Sequence, residues 1–148
     1  MNKLVNPLIR LILRLPLGSV WGAAHLLITY RGRKSGQEYT LPVQYTPDGN
    51  TLYIIVGMPE QKTWWRNLRG GAPVQVTLHG KNRPGYALLL QPDTDREAMV
   101  RGMELYLERF PSMAGRHHVQ READGRFNAA DLEGAATGVR VIRVEMNG

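Results

Sequence analysis

Residues 3–15 show the periodicity of an amphipathic helix, with leucines at helical spacing and basic side chains off that stripe. The apolar stripe consists of Leu4, Leu8, Leu11 and Leu15, and the basic residues are Lys3, Arg10 and Arg14. The pattern predicts an N-terminal helix within residues 1–17. Two interpretations stay open: the apolar face packs on the domain core, or residues 1–15 contact a membrane surface.

From Leu26 onward the pattern becomes that of strands. Alternating positions or short apolar runs predict strands over residues 26–30, 38–46 and 51–57. A turn bounded by Gly32 and Gly36 separates the first two strands, and the sequence Pro-Asp-Gly-Asn at 47–50 separates the second and third. Three consecutive strands joined by short turns predict an antiparallel meander.

The second half of the chain mixes helices and strands. It predicts a helix over residues 64–69, strands over 73–79 and 86–91, a helix over 94–109 opened by a capping box at Thr94, and a last strand over 138–145. Residues 112–137 are polar and rich in glycine and alanine. This stretch is too long for an ordinary connection, so it is either a lid over a site or contains short helices.

The order of elements predicts the α+β class. Neighbouring antiparallel strands with helices set to one side favour a small barrel or half-barrel. A doubly wound nucleotide-binding fold requires strands that alternate with crossover helices, and this alternation is absent from the predicted order. At 148 residues, the chain has the length of one domain, which we assign to residues 1–148.

The composition excludes several kinds of chemistry. The chain has no cysteine, which removes disulfides, thiolate nucleophiles and cysteine-ligated metals and favours a reducing, cytoplasmic location. No serine lies in a nucleophile-elbow pattern, and neither a P-loop nor a dinucleotide fingerprint is present. The four histidines do not complete a metal-binding triad, so we expect no metal.

The net charge of +6 is unevenly distributed. Residues 1–85 carry 11 basic and three acidic side chains, whereas the remaining 63 residues carry eight arginines and ten acids. The first part is therefore strongly positive and the second slightly negative. This asymmetry predicts an anionic partner for the first part, which is a nucleic acid, a membrane surface or a phosphorylated small molecule.

Two segments of the basic part carry candidate chemistry. In the stretch from Tyr30 to Gly36, glycines flank Arg33, Lys34 and Ser35, which suits the binding of phosphate or carboxylate. In the stretch 62–68, Trp64 and Asn67 share one helical face, and Trp65 points elsewhere. A nucleic-acid-binding barrel is the least favoured interpretation, because the tryptophans cluster in one helix and are not spread over a strand face.

Together these segments resemble the deazaflavin-dependent nitroreductase family. The similar stretches are residues 27–37, 41–43, 55–57, 62–69 and 72–76. The resemblance covers about residues 5–90 continuously, and the turn followed at this distance by Trp-x-x-Asn-Leu is fairly specific. It implies an FMN-binding-type split β-barrel, antiparallel, with flanking helices, and a reductase that uses coenzyme F-420.

The resemblance also implies roles for particular residues. The phosphate and acidic tail of the coenzyme would be held by Arg33, Lys34 and Ser35. Its ring would be lined by Val56, Gly57 and Met58. The pocket would be closed by Trp64 and Asn67, and the facing strand would be shaped by Pro42. The positive charge of residues 1–85 agrees with such a coenzyme. Hydride transfer needs little acid–base chemistry from the protein, because the coenzyme supplies the reactive group.

The acceptor and the assembly stay open at this point. The resemblance implies a small-molecule hydride acceptor: a quinone, an activated alkene or a nitro compound. Family reductases use tyrosines near the C-terminus on the substrate side; residues 112–137 contain none, which leaves Tyr106 as the candidate. The alternatives are FMN as cofactor, or a non-catalytic split barrel that binds a lipid, haem or pigment. A homodimer and a membrane-associated location are further alternatives.

Overall fold

A computed structural model of the protein describes residues 24–147, so the helix predicted within residues 1–17 lies outside the described part. The seven strands are β1 (His25–Arg31), β2 (Glu38–Gln44), β3 (Thr46–Asp48), β4 (Thr51–Val56), β5 (Ala72–Leu78), β6 (Lys81–Leu89) and β7 (Arg140–Met146). The two α-helices are α1 (Arg96–Arg109) and α2 (Ala129–Thr137), and three 3-10 helices span Pro59–Gln61, Trp64–Leu68 and Pro111–Met113.

The strands form one antiparallel sheet in the order β2-β1-β5-β6-β7-β4-β3. Four strands separate β2 from β4 in that order, yet β2 and β4 contact each other. The sheet must therefore curl until its two ends approach, which makes it a half-barrel. The expected antiparallel α+β architecture is confirmed.

The predicted three-stranded meander is wrong. β1 pairs with β2, and β3 pairs with β4, but β4 takes β7 as its other neighbour. Pro42 supplies a physical reason, because it lies in β2 opposite Leu27 and has no N–H for a second ladder. A strand with this proline fits the end of the sheet better than a place between two partners.

The sheet is buried on both faces. Side chains on its concave face, among them Ile28, Ile54 and Ile142, form one core cluster. Side chains on the other face pack with α1 and α2 in a second cluster that contains Met103 and Leu132. This double burial explains why β4 is a continuous apolar run, with Ile54 directed to the first cluster and Tyr53 to the second.

The segment 112–137 contains short helical elements. It includes most of the 3-10 helix Pro111–Met113 and all of α2, whose N-cap Asn128 accepts a hydrogen bond from the Asp131 N–H at 2.9 Å. Leu132 and Ala136 are buried where α2 packs on α1. Of the two interpretations kept open for this segment, the described residues therefore show the short helices.

The capping box predicted at Thr94 is wrong. α1 begins at Arg96 with Asp95 as its N-cap, and the Asp95 side chain makes no capping bond. The Asp95 carboxylate instead accepts a hydrogen bond from the Gln91 N–H at 2.9 Å and so holds the turn before the helix.

Gly102 lies where α1 packs closely against Tyr53 of β4. A Cβ atom at this position would lie 2.6 Å from Cδ1 of Tyr53, which is too close. We expect Gly102→Ala to lower the free energy of unfolding by about 1–3 kcal/mol through overpacking. Gly134→Ala in α2 is the matched control, since nothing lies within 4 Å of that Cβ, and it should stabilise by about 0.5–1 kcal/mol. Urea unfolding curves measure both, and equal effects would contradict the packing described here.

Candidate functional site

The connection between β1 and β2, residues 32–37, is called the hairpin turn below. The Gly32 N–H donates to the Gln37 carbonyl at 2.8 Å, and the Gly36 N–H donates to the Gly32 carbonyl at 2.9 Å. Gly36 has a positive φ of 73°, and a Cβ on Gly32 would lie 2.8 Å from Oγ of Ser35. Both glycines are therefore needed by the turn itself.

The second segment forms a 3-10 helix over Trp64–Leu68, called the tryptophan helix below. The helix predicted over residues 64–69 is therefore present, and the side chain of its N-cap residue, Thr63, makes no capping bond. Trp65 and Leu68 are buried in the concave core, whereas Trp64 is half-buried at its margin. Trp65 thus points away from Trp64, as the sequence pattern predicted, and the structure places it in the core.

Two hydrogen bonds join the hairpin turn to the tryptophan helix and to Arg69, the residue that follows it, and a third bond lies within the helix. The Arg33 backbone N–H donates to Oδ1 of Asn67 at 2.9 Å, and Nδ2 of Asn67 donates to the Trp64 carbonyl at 2.9 Å. The Arg33 guanidinium donates to the Arg69 carbonyl at 2.5 Å. The amide of Asn67 thus fixes the position of the turn relative to Trp64, although the two segments are 34 residues apart in the chain.

The hairpin turn presents cationic groups to solvent. Lys34 is exposed, and its ammonium group makes no hydrogen bond or ion pair with any of residues 24–147. Arg33 uses one guanidinium nitrogen on the Arg69 carbonyl and keeps further N–H donors for a ligand. Oγ of Ser35 accepts a hydrogen bond from the Gln37 N–H at 3.2 Å. It donates to the Tyr39 hydroxyl at 3.3 Å, because the Tyr39 hydroxyl itself donates to Oε1 of Gln37 at 3.1 Å. A ligand would accept the Ser35 hydrogen in place of Tyr39. These groups suit a phosphate or a carboxylate.

Aromatic rings lie beside this cationic turn. The Tyr30 ring is 5.7 Å from that of Tyr39 and 5.9 Å from that of Trp64, measured between ring centroids. Burial raises the pKa of Tyr30, and the neighbouring Tyr39 adds to the rise, so the Tyr30 hydroxyl stays neutral at physiological pH. The site therefore combines a cationic end with a flat, uncharged aromatic surface.

An open cleft of about 470 Å³ runs beside the hairpin turn along β1 and the start of β5. Arg33 and Asn67 line it, and so do Arg31 and Glu38, which the sequence analysis did not single out. Arg31 and Glu38 face each other across the β1–β2 ladder, and the Arg31 guanidinium donates to the Gly36 carbonyl at 2.9 Å. Their place at the two ends of a predicted turn was the sequence signal that could have identified them.

The loop after β4 holds the residues expected to line a ring. The Lys62 ammonium donates to the Gly57 carbonyl at 3.0 Å, which ties this loop to the start of the tryptophan helix. Met58 has a positive φ of 49°, and 60% of its surface is exposed. Val56 is buried in the core. Gly57 and Met58 are thus accessible to a ligand, whereas the Val56 side chain is in the core and anchors the start of this loop.

Two of the expected residues lie elsewhere. Pro42 pairs with Leu27 and is separated from the hairpin turn by residues 38–41 of β2. Tyr106 is buried in the helical cluster, where its ring contacts those of Phe110 and His117 at 5.5 and 5.8 Å. Burial raises the pKa of Tyr106. The structure does not bring either side chain to the cationic and aromatic groups described above.

These groups suit a ligand with an anionic chain at one end and a planar ring at the other. Arg33, Lys34 and Ser35 provide donors for the anionic end, and Trp64 and Met58 provide apolar surface. Among residues 24–147, no group of three or more acidic or histidine side chains could hold a metal ion. The arrangement can bind and orient a redox coenzyme, and its chemistry would come from that coenzyme.

Comparison with known proteins agrees with this geometry. The family model described as F420H(2)-dependent quinone reductase matches residues 15–116, a range that contains the hairpin turn and the tryptophan helix. A Mycobacterium tuberculosis protein named as a candidate F420H(2)-dependent quinone reductase is 27% identical over 86 residues, which are 56% of this chain and 72% of that protein.

Solved structures show the same fold. The F420-H2 dependent reductase FDR-A matches with a TM-score of 0.56 and 21% identity, over 82% of this chain and 94% of its own. A structure described as a domain-swapped dimer matches with a TM-score of 0.55 and 21% identity, over 82% of this chain and 80% of its own. The curled antiparallel sheet is thus a split β-barrel, as the family resemblance implied.

Proposed function

Because the chain belongs to the F420H(2)-dependent quinone reductase family and is an F-420-dependent reductase, we propose that its hydride acceptor is a quinone. When bound, the reduced coenzyme supplies a hydride. The quinone takes up this hydride, with its two electrons, and one proton from water. Activated alkenes and nitro compounds are the competing acceptor classes.

The observation that carries the proposed site is the link from Arg33 through Asn67 to Trp64. It holds a cationic turn beside an aromatic side chain, which is the arrangement that a coenzyme with a phosphate and a ring requires. We assign Arg33 and Lys34 to the phosphate and the first part of the acidic tail, with Ser35 as an additional donor. Asn67 positions the turn and does not need to touch the coenzyme.

The other residues act on the ring side. Gly57 and Met58 form the accessible edge of the loop, and the Lys62 bond to the Gly57 carbonyl keeps this edge against the tryptophan helix. We assign the half-buried Trp64 to the same surface. Hydride transfer needs donor and acceptor atoms about 3–3.5 Å apart with water excluded, so the contribution of these residues is to position the ring and shield it.

A quinone reductase should oxidise reduced F-420 rapidly only when a quinone is present. The test follows oxidation of reduced F-420 by absorbance without oxygen, with a naphthoquinone, an activated enone and a nitroaromatic compound as acceptors. We expect the highest kcat/KM with the naphthoquinone. A higher kcat/KM with the nitroaromatic or the enone would contradict the quinone assignment. Binding of FMN in place of F-420 would contradict the assigned coenzyme.

We further propose that the protein assembles as a homodimer. A relative of the same fold is described as a domain-swapped dimer, which supports the proposal. Light scattering should then give about twice the chain mass of 16.7 kDa, and a mass of one chain would contradict the dimer.

In residues 24–147, the helices are too short or too polar to cross a bilayer. The suggested membrane contact of residues 1–15 lies outside the described residues.

A further inference from the structure

Met58 is the most exposed large apolar side chain among residues 24–147, with 60% of its surface accessible. It is also one of the few residues of this part other than glycine with a positive φ, which is 49°. Apolar exposure and a left-handed backbone are both unfavourable for a methionine, and such a backbone persists only where the surrounding structure imposes it. The exposure of Met58 therefore needs a cause in the loop that carries it.

Hydrogen bonds on both sides of Met58 hold its backbone in place. The Gly57 carbonyl accepts a hydrogen bond from the Lys62 ammonium at 3.0 Å, and the Met58 carbonyl accepts one from the Gln61 N–H at 3.0 Å. Pro59, the next residue, is buried and begins a 3-10 helix. The side chain of Met58 cannot turn into the core unless these contacts break, so the loop keeps its thioether in solvent.

The other methionines of the described part are better protected from solvent. Met99 and Met103 are buried in the helical cluster, and Met113 and Met146 are partly buried. The chain has no cysteine, so methionine is its only sulfur-containing residue. Oxidation of a sulfur atom by a dissolved oxidant depends on access to that atom. Within residues 24–147, Met58 is therefore the residue at which such an oxidant acts first.

We propose that Met58 is an oxidation site through which hydrogen peroxide lowers the affinity of the protein for F-420. The inference rests on the proposed function, which assigns Met58 to the ring side of the coenzyme. In this step the Met58 sulfur bonds to one peroxide oxygen as the O–O bond breaks. The thioether loses two electrons and becomes a sulfoxide, and the peroxide is reduced to water. The proposed reaction also supplies the oxidant, because a hydroquinone that passes two electrons and two protons to dioxygen produces hydrogen peroxide.

A sulfoxide at Met58 changes the surface that the coenzyme ring would contact. The thioether is apolar and polarisable and packs well against aromatic rings, whereas the sulfoxide is polar and retains water. Because the hydrogen bonds to Gly57 and from Gln61 hold the backbone, the oxidised side chain stays at the same place. We expect F-420 to bind about three- to tenfold more weakly, which lies within the range of sulfur–aromatic contacts.

Peptide mapping shows where peroxide acts and needs neither coenzyme nor turnover. Trypsin releases Met58 in the peptide of residues 35–62, which contains no other methionine and no tryptophan. After brief treatment of the folded protein with dilute hydrogen peroxide, this peptide should gain one oxygen atom well before the peptides that contain Met113 or Met146. Equal or faster oxidation of Met113 or Met146 would overturn the proposal and leave the proposed function untouched.

Calorimetric titration then compares F-420 binding before and after the peroxide treatment. The unmodified protein should bind more weakly after treatment, and methionine sulfoxide reductases for both sulfoxide epimers should restore its affinity. Met58→Leu has no sulfur at this position, so its own affinity should be the same before and after treatment. Met113→Leu is the matched control and should respond as the unmodified protein does.

Two results of the titration would overturn the proposal. One is an unchanged affinity of protein in which mapping shows Met58 to be oxidised, and the other is an equal loss of affinity in treated Met58→Leu. Failure of the untreated protein to bind F-420 would instead contradict the proposed function.

Discussion

Replacing Arg33 and Lys34 together with alanine is expected to weaken F-420 binding by about a hundredfold, or about 3 kcal/mol. Each side chain would contribute a charge-assisted hydrogen bond to the coenzyme, and we take the low end of the usual range because both are exposed. The fold should persist. The bond from the Arg33 backbone N–H to Asn67 does not depend on the side chain.

Titration of F-420 into the folded variant measures this effect. The matched control is Lys81→Ala/Arg126→Ala, which removes the same charge from exposed positions outside the site. The control should bind nearly as well as the unmodified protein. An equal loss in both double variants would mean that overall charge attracts the coenzyme, and an unchanged affinity of Arg33→Ala/Lys34→Ala would refute the assignment of these residues.

Trp65→Ala is expected to lower the free energy of unfolding by about 3–5 kcal/mol, whereas Trp64→Ala should cost much less stability. Trp65 is buried, and its removal leaves a cavity, takes one of two hydrogen bonds from the Pro59 carbonyl and removes the ring that Arg66, Arg69 and Arg140 contact. Trp64 is half-buried against Tyr30. The assignment of Trp64 to the ring side predicts that its removal weakens coenzyme binding instead.

Urea unfolding separates the stability effects of the two variants. For binding, variants that retain a single tryptophan allow the fluorescence of Trp64 and Trp65 to be followed separately. F-420 should quench the variant that keeps Trp64 and leave the fluorescence of the Trp65 variant nearly unchanged. The opposite result would show that the two side chains have been assigned to the wrong sides.

The parts of the fold that depend on local chemistry could be predicted from the sequence. The turn between β1 and β2 follows from two glycines around polar residues, and β5 follows from the alternation of Val74 and Val76 with polar neighbours. The different directions of Trp64 and Trp65 follow from the geometry of adjacent helical side chains. These features involve neighbours in the chain, so a short window contains the information.

Features that depend on distant partners were harder to predict. The pairing of β4 with β7 joins strands that are far apart in the chain. The sequence signal against the meander was Pro42, which lacks an N–H for pairing with a second neighbouring strand. α2 is rich in alanine and glycine, and its pattern carries little amphipathic signal until Leu132 and Ala136 pack on α1. Tyr106 is buried in that same cluster, where its ring contacts His117 from a segment that the sequence left without assigned elements.

In the candidate site too, some features follow from local sequence and others depend on residues that are distant in the chain. Arg33, Lys34 and Asn67 were identified by their residue types and by the family resemblance. The bond that joins Arg33 to Asn67 runs from a backbone N–H to a side chain 34 residues away, and no local pattern encodes it. The contact between Arg140 and the Trp65 indole was missed for a related reason, because Arg140 lies in the last strand, far from Trp65 in the chain.

The most direct test of the central claim is a crystal structure of the protein with F-420 bound. We predict the phosphate within hydrogen-bonding distance of Arg33 and Lys34, and the ring against Trp64 and the loop of Gly57 and Met58. A coenzyme phosphate bound elsewhere, with the side chains of the hairpin turn free in solvent, would contradict the account.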